Sequence, residues 1–399
     1  SSQLTRLDDA MLGLHFDLTV PFARYVLENA GRLEFPFKRY QIQKVWRGER
    51  PQQGRFREFT QADIDVVGQG TLPFQAEVDL PLVMAEALVK LPIGPVEMLV
   101  NNRKLAEGFY RGLGLGAAPD ESGLTPAADD QVMAIFRVID KLDKIGPATT
   151  AELLVDQAQL SATQAAACLE LAQIHGDTAG PVIAAVQALA DRHQVRHPLL
   201  ELGLTEFETL LTAAAEAQPG VIQANLKIAR GLDYYTGSVY ETFLVGQTDL
   251  GSICSGGRYD SLVSSGQQTY PGVGLSIGLS RLVSRLIGQD LVQASRPVPT
   301  AVMVAVNDEA SRAQSNAIAR QLRQRGIPTE VAPVAAKFGK QIKFADRRQI
   351  PYVWFPGVDG QPDQVKDIRH GDQVAADADD WCPPADDWWP RLVSAETPV

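Results

Sequence analysis

The segment RYQIQKVWRGERPQQGRFREFTQADIDVV, residues 39–67, alternates polar and apolar side chains, breaks, and alternates again. A period of two places successive residues on opposite faces, so Arg39–Arg47 reads as one strand and Glu58–Val67 as another. The stretch between them, Gly48–Arg55, is polar and contains glycine, which predicts a β-hairpin with an enlarged tip. Between Lys38 and Arg57 stand seven basic residues, Lys38, Arg39, Lys44, Arg47, Arg50, Arg55 and Arg57, against Glu49 alone on the acidic side. A solvated basic loop is the plain reading of such a charge run. The chemical one is that Arg47 leaves a strand where its bidentate fork holds a phosphate. Glu49 then follows as an acceptor on the same face, and Phe59 offers a ring to a planar base.

The rest of the chain sets that hairpin in context. Its 399 residues exceed what one core holds and predict two to three domains. With 45% apolar and 21% charged residues, the composition excludes a disordered, collagen-like or disulfide-stapled protein. The net charge of −11 argues against coating nucleic acid by bulk charge. Its distribution is uneven, because residues 101–219 carry 16 acidic residues against 8 basic ones. Three cysteines, Cys168, Cys254 and Cys382, form no CxxC pair, which fits a reducing cytoplasm better than a disulfide or zinc framework. No apolar run approaches a membrane span, and SSQLTRLDDAML lacks the pattern of a signal peptide. A cytoplasmic location is expected.

Along the chain, Pro21–Ala30 reads as a helix with proline in its first turn. Residues 75–91 are helical in pattern, with Pro81 expected to kink the helix or delay its start. Val96–Asn101 fits a short strand. Residues 102–219 are Ala- and Leu-rich with helical spacing, as in Thr149–Leu171 and Pro181–His193. Strand patterning returns over Ile222–Gly278, clearest in SVYETFLV at 238–245. Arg296–Pro299 reads as a linker. Beyond it, strands at 301–306, 329–333 and 351–355 alternate with helices over 309–325 and 336–348. Short strands near 365–368 and 373–377 complete a small α/β domain with a mostly parallel sheet.

Two further segments carry candidate chemistry. RGLDYYTGSVYE, residues 230–241, sets Arg230, Asp233 and a Tyr234–Tyr235 pair beside glycines that permit close backbone approach. Adjacent strand residues face opposite ways, so both tyrosines are not core. GVGLSIGLSRL, residues 272–282, resembles a phosphate-binding turn from strand to helix. Its glycines do not match the GxGxxG spacing, and close helix–strand packing explains them as well.

Taken together, these segments resemble the class II aminoacyl-tRNA synthetases and, within them, the histidyl-tRNA synthetases. Trp46–Asp65 is similar to class II motif 2 and Gly272–Arg281 to motif 3. RGLDYYTG at 230–237, Asp17–Thr19 in HFDLTVPFARY and CSGGRYDSL at 254–262 are similar to segments typical of the histidine enzymes. The resemblance implies an α+β class II catalytic domain, an antiparallel sheet with helices, in two parts at 1–101 and 220–295. It also implies a helical insertion at 102–219 that contacts the tRNA acceptor arm, and an anticodon-binding α/β domain at 300–399. In that last domain Lys337, Lys340, Lys343, Arg347 and Arg348 recur along one predicted helix, as a phosphate-facing stripe or a solvated face.

The implied reaction joins L-histidine to the α-phosphate of ATP, with Mg²⁺ on the phosphates, and transfers the histidyl group to the 3′ end of tRNA(His). On the resemblance, Arg47 and Arg230 are the catalytic cations at the α-phosphate. Asp17, Leu18, Thr19, Gln61, Asp65, Arg230, Tyr234 and Tyr235 hold histidine, the ammonium falling to Asp17, Thr19 and Gln61 and the imidazole to Asp65 and Tyr235. ATP falls to Arg47, Glu49, Arg55, Phe59 and Arg281. No side chain is expected to ligate a metal, none of the five histidines is expected to be catalytic, and the family implies a homodimer. The family also has a motif 1 stretch before the Asp17 signature that SSQLTRLDDAM does not match, so that stretch is expected to be lacking. The alternative readings are a silent synthetase-like regulatory subunit of ATP phosphoribosyltransferase and a proline or threonine enzyme of the same class. RGLDYYTG and the motif 2 arginines argue against the subunit, and the tyrosine pair with Asp65 against the other enzymes.

Overall fold

The computed structural model describes residues 5–7, 10–48, 50, 54, 56–116, 130–229, 234–265, 268–358 and 360–394. Two compact units divide it, residues 1–288 and 289–399.

The first unit is organised by an eight-stranded sheet. Its strands are β1 (Phe37–Trp46), β2 (Glu58–Val67), β3 (Val96–Asn102), β4 (His175–Gly176), β5 (Ile222–Asn225), β6 (Tyr235–Leu244), β7 (Cys254–Tyr259) and β8 (Gly272–Gly278). In space they run β1-β2-β8-β7-β6-β3-β5-β4, antiparallel throughout except for the β3–β5 pair. The hairpin foreseen in the sequence is β1–β2, at one edge, with Arg39 opposite Asp65 and Gln43 opposite Gln61.

The alternation in that hairpin points the opposite way from ordinary amphipathic strands. Along β2 the buried residues include Gln61, Asp63 and Asp65, while on β1 Tyr40 is 79% and Ile42 61% exposed. One face of the hairpin is therefore polar and covered, and the other apolar and open. Burying three polar side chains in a row is costly unless each finds a partner, so this face is where the site is sought.

Helices α1 (Thr19–Asn29), α2 (Gln75–Val89) and α3 (Arg103–Gly112) belong to the same unit. Helix α2 starts at Gln75 and runs through Pro81, with neither the late start nor a break. Proline at 81 removes the N–H that normally bonds to the carbonyl four residues back. That carbonyl, on Glu77, accepts instead from the buried Tyr240 hydroxyl at 2.5 Å, so the orphan is satisfied. The helical stretch continues as α4 (Asp130–Ile139), α5 (Leu142–Gln157), α6 (Ala162–Ala172), α7 (Ala179–Arg192) and α8 (Pro198–Ala217). The run expected over Thr149–Leu171 is two helices, because Ser161 forms a capping box with Gln164 and starts α6 afresh. His197 caps α8 by accepting the Leu199 amide on Nδ1. Helix α9 (Leu279–Gly288) follows β8 without a loop.

In the second unit, β9 (Val302–Val304), β10 (Thr329–Val331) and β11 (Tyr352–Phe355) are parallel, and β12 (Gln364–Asp367) and β13 (Gln373–Ala375) add antiparallel strands. The sheet is thus mixed where a mostly parallel one was expected. Helices α10 (Arg312–Gln324) and α11 (Phe338–Arg347) supply the long crossovers that parallel strands need. The last two strands are joined by short connections, which suit antiparallel pairs only. Trp381 and Trp388 of the Trp/Pro/Asp-rich tail pack against the core of Val302, Val304 and Trp354. No helix of the described residues is long and apolar enough to cross a membrane.

Candidate active site

Strand register assembles the site. Gln61, Asp63 and Asp65 face the same side of β2, and across β8 they lie opposite Gly278, Ser276 and Gly274. A Cβ on Gly274 would stand 2.1 Å from the Asp65 carboxylate, and one on Gly272 2.3 Å from the Tyr259 ring. None of the three β8 glycines has a positive φ. Gly272 and Gly274 therefore serve close packing, which makes room for Asp65 and Tyr259, and not a phosphate-binding turn.

Asp65 is held from two sides. Arg39 Nη2 lies 2.8 Å from Oδ2, and the Tyr259 hydroxyl donates to Oδ1 at 2.9 Å. Arg39 also donates to the Leu18 carbonyl at 3.2 Å and to Gln41, and sits 4.3 Å from the Phe22 ring. It thereby ties the Asp17–Thr19 segment to β2. Asp17 caps the start of α1, accepting the Val20 amide at 2.9 Å. Burial pushes the Asp65 carboxyl up to about 6 despite the Arg39 charge. Asp63 rises further, to about 7, because burial dominates, with the Asp65 and Asp17 carboxylates adding to it.

These values have a measurable consequence. Folded Asp63 keeps its proton to about pH 7, whereas an unfolded aspartate releases it near 4. Between those limits the native state binds more protons than the unfolded one, so stability falls as pH rises. At neutral pH the burial of Asp63 costs on the order of 4 kcal/mol. Asp63→Asn should therefore gain in melting temperature relative to the wild type as pH rises from about 5 to 8. Parallel melting curves across that range contradict the burial argument.

Tyr234 and Tyr235 do not diverge as strand neighbours would. Tyr234 precedes β6 in a turn, so the two rings lie 4.3 Å apart and their hydroxyls 3.1 Å apart. Burial raises both phenols, well above the usual value for Tyr235, which keeps them neutral hydrogen-bonding groups. Behind them Glu77, fully buried, accepts from Arg258 Nη1 at 2.7 Å and from the Ser238 amide at 2.8 Å. Gly237 is required there, because a Cβ would stand 2.8 Å from both Glu77 and Arg258.

Beside this acceptor-rich face lies a cleft of about 280 Å³, lined by Arg47, Phe59, Gln61, Cys254, Ser276 and Arg281 among others. Arg47 donates to the Phe16 carbonyl at 3.2 Å, with its guanidinium 4.6 Å from the Phe16 ring and 5.1 Å from Phe59. Arg281, in the first turn of α9, donates to the carbonyls of Gly54 and Ser252, both at 2.9 Å. Arg47, Phe59, Gln61 and Arg281 thus line one cleft. Cys254 is buried, its thiol pushed up to about 12, and inert as a nucleophile. Arg230, Glu49 and Arg55 lie outside the described residues. The sequence reading missed Arg39, Asp63, Tyr259 and Ser276 as site residues. The same two-residue period that marked β2 as a strand places Asp63 between Gln61 and Asp65, and was the available signal.

The comparisons with known proteins agree with this fold. The family model described as histidyl-tRNA synthetase matches residues 2–282, and one described as anticodon binding domain matches residues 300–375. The chain belongs to the histidyl-tRNA synthetase family. Among its relatives, the histidine–tRNA ligase of Cutibacterium acnes is 56% identical over 397 residues, covering 98% of this chain and 83% of the relative. That of Micrococcus luteus is 55% identical, with 98% and 81% covered. A solved histidyl-tRNA synthetase from Nostoc sp. PCC 7120 superposes with a TM-score of 0.81 at 33% identity, covering 95% of this chain and 84% of that one. Family membership accounts for the antiparallel sheet with flanking helices and for the C-terminal anticodon-binding unit.

Proposed function

We propose that this chain activates L-histidine with ATP and transfers the histidyl group to the 3′ end of tRNA(His), a reading that its relatives named histidine–tRNA ligase support. The observation that carries the reading is the adjacency of two opposite chemistries. A buried face that presents Gln61 and Asp65 as acceptors suits a ligand with an ammonium and a donor heterocycle. A cleft lined by Arg47 and Arg281 beside it suits phosphates.

In this reading the α-ammonium sits against Asp17, Thr19 and Gln61, and the imidazole between Asp65 and the Tyr234–Tyr235 pair. Asp65 has lone pairs to spare after its bonds to Arg39 and Tyr259. ATP lies with adenine on Phe59, and Arg281, Glu49 and Arg55 fix the nucleotide. A carboxylate oxygen of histidine attacks the α-phosphorus, the bond to the bridging oxygen breaks, and pyrophosphate leaves with the electron pair. Arg47, with Arg230, offsets the charge that gathers on the α-phosphate, and no side chain is needed as a nucleophile. The terminal ribose hydroxyl of the tRNA then attacks the carbonyl, displacing AMP.

Mg²⁺ would screen the ATP phosphates. No group of three or more His, Cys, Asp or Glu side chains that could hold a metal stands together among the described residues, so no side chain is assigned to it and no step passes through it. The homodimer belongs to the same proposal. Its support is the open apolar face of the edge strand β1, with Tyr40 and Ile42 exposed. The domain division at 101, 219 and 295–300, tRNA contact by Lys337, Lys340, Lys343 and Arg347, and a cytoplasmic location complete the reading. Lys337, Lys340, Lys343 and Arg347 are exposed on or beside α11, while Arg348 pairs with Glu330 at 2.8 Å.

The test is ATP–pyrophosphate exchange with each of the twenty amino acids offered separately. Exchange with histidine alone is expected, and exchange with another amino acid but not histidine overturns the proposal.

A further inference from the structure

Asp63 and Ser276 stand directly opposite each other on β2 and β8, and neither has a role in the reaction described above. Gln61 Nε2 donates to Ser276 Oγ at 2.7 Å, and Ser276 Oγ donates to Asp63 Oδ1. Above about pH 7, where Asp63 is ionised, the proton count leaves one arrangement. A serine hydroxyl has a single proton, and an ionised carboxylate only accepts. With its proton committed to Asp63, Ser276 can only accept from Gln61, so the amide nitrogen must face it. The other end of the amide, Gln61 Oε1, is buried without a hydrogen-bond partner among the described residues, on a side chain 8% exposed.

We propose that Asp63 and Ser276 are positioning residues that lock the Gln61 amide with its oxygen toward the substrate's α-ammonium. The two orientations of the amide have nearly the same shape and opposite polarity. With Oε1 forward it accepts from the cation, and with Nε2 forward it presents a donor and repels it. The Asp63–Ser276 pair therefore sets the sign of the contact. The inference rests on the reading of Gln61 as an ammonium ligand.

The experiment uses the full chain and four proteins: wild type, Gln61→Ala, Ser276→Ala and the double variant. Each is assayed above pH 7, where Asp63 is ionised, for histidine and ATP KM in pyrophosphate exchange, and for inhibition by 3-(imidazol-4-yl)propionate, which lacks the amine. Ser276→Ala is expected to raise the histidine KM about tenfold, the equivalent of one well-placed hydrogen bond. The ATP KM, the inhibition constant of the amine-free analogue and the melting curve should stay near those of the wild type, which a general loosening of the pocket would not allow. In the Gln61→Ala background the same change should move the histidine KM less than about twofold, because the group it orients is gone. Equal fold-changes in both backgrounds overturn the proposal, as does equal weakening of the amine-free analogue. A raised KM in Gln61→Ala with none in Ser276→Ala overturns the positioning role while sparing the ammonium contact. An unchanged KM in Gln61→Ala overturns both.

Discussion

Arg47→Ala is expected to slow histidine-dependent pyrophosphate exchange by about a thousandfold, the loss that follows when a preorganised group aimed at transition-state charge is removed. Arg47 leaves the end of β1 at the point where the acceptor face meets the cleft, and its position is set by three contacts. Its Nε reaches the Phe16 carbonyl, and its guanidinium lies near the rings of Phe16 and Phe59. None of these contacts joins it to a carboxylate, so its charge is not neutralised by an ion pair among the described residues. The same feature makes the substitution mild for stability, since cation–π contacts at accessible sites contribute only about 0.5–1 kcal/mol. Arg47→Lys keeps a charge but loses the planar fork, and should recover a minor part of the rate. Near-wild-type exchange by Arg47→Ala would remove Arg47 from the reaction centre.

The second large effect is on stability. Glu77→Ala is expected to cost about 3 kcal/mol, because it removes the buried counter-charge of Arg258 and leaves the Ser238 amide without its acceptor. For a unit of this size that is a fall of roughly 6–12 °C in melting temperature. Arg258 retains Asp260 at 2.9 Å and the Leu72 carbonyl at 3.2 Å, which keeps the loss below that of a wholly unpaired charge. Glu77→Gln can keep the Ser238 bond and should fall between the two. The damage should also reach the site, since Ser238 and Arg258 belong to β6 and β7, which carry Tyr235 and Tyr259 to Asp65. A melting curve unchanged in Glu77→Ala contradicts this account of the buried network.

The comparison of sequence with structure turns on what alternation means. The period of two in residues 39–67 located both strands of the hairpin, and the glycine and arginine content marked its tip. The pattern did not say which face of the hairpin is covered. On β2 the side chains of Gln61, Asp63 and Asp65 are buried, and Gly274 on the neighbouring β8 leaves room for Asp65. A pattern of polar and apolar residues gives the period but not the sign, and the sign reverses where the covered face is a binding site.

Tyr234 and Tyr235 illustrate the second limit. Opposite faces follow only if both residues lie within the strand, and β6 begins at Tyr235. The third limit is pairing across distant segments. Arg39 with Asp65, Tyr259 with Asp65 and Ser276 with Asp63 depend on the order of strands in the sheet, which no local pattern contains. The mixed sheet of the second unit is a milder case, since the short spacing after residue 355 already favoured antiparallel strands. The resemblance supplied what periodicity did not, namely an expectation of which polar residues share one site.

The claim at the centre of this account is that the buried polar face of β2 receives the amino acid. A crystal structure of the chain with L-histidine bound tests it most directly. The account predicts the α-ammonium about 3 Å from Gln61 Oε1, with the imidazole toward Asp65 and Tyr235. Histidine bound elsewhere, with Gln61 Oε1 still unpartnered and Asp65 bonded only to Arg39 and Tyr259, would contradict it.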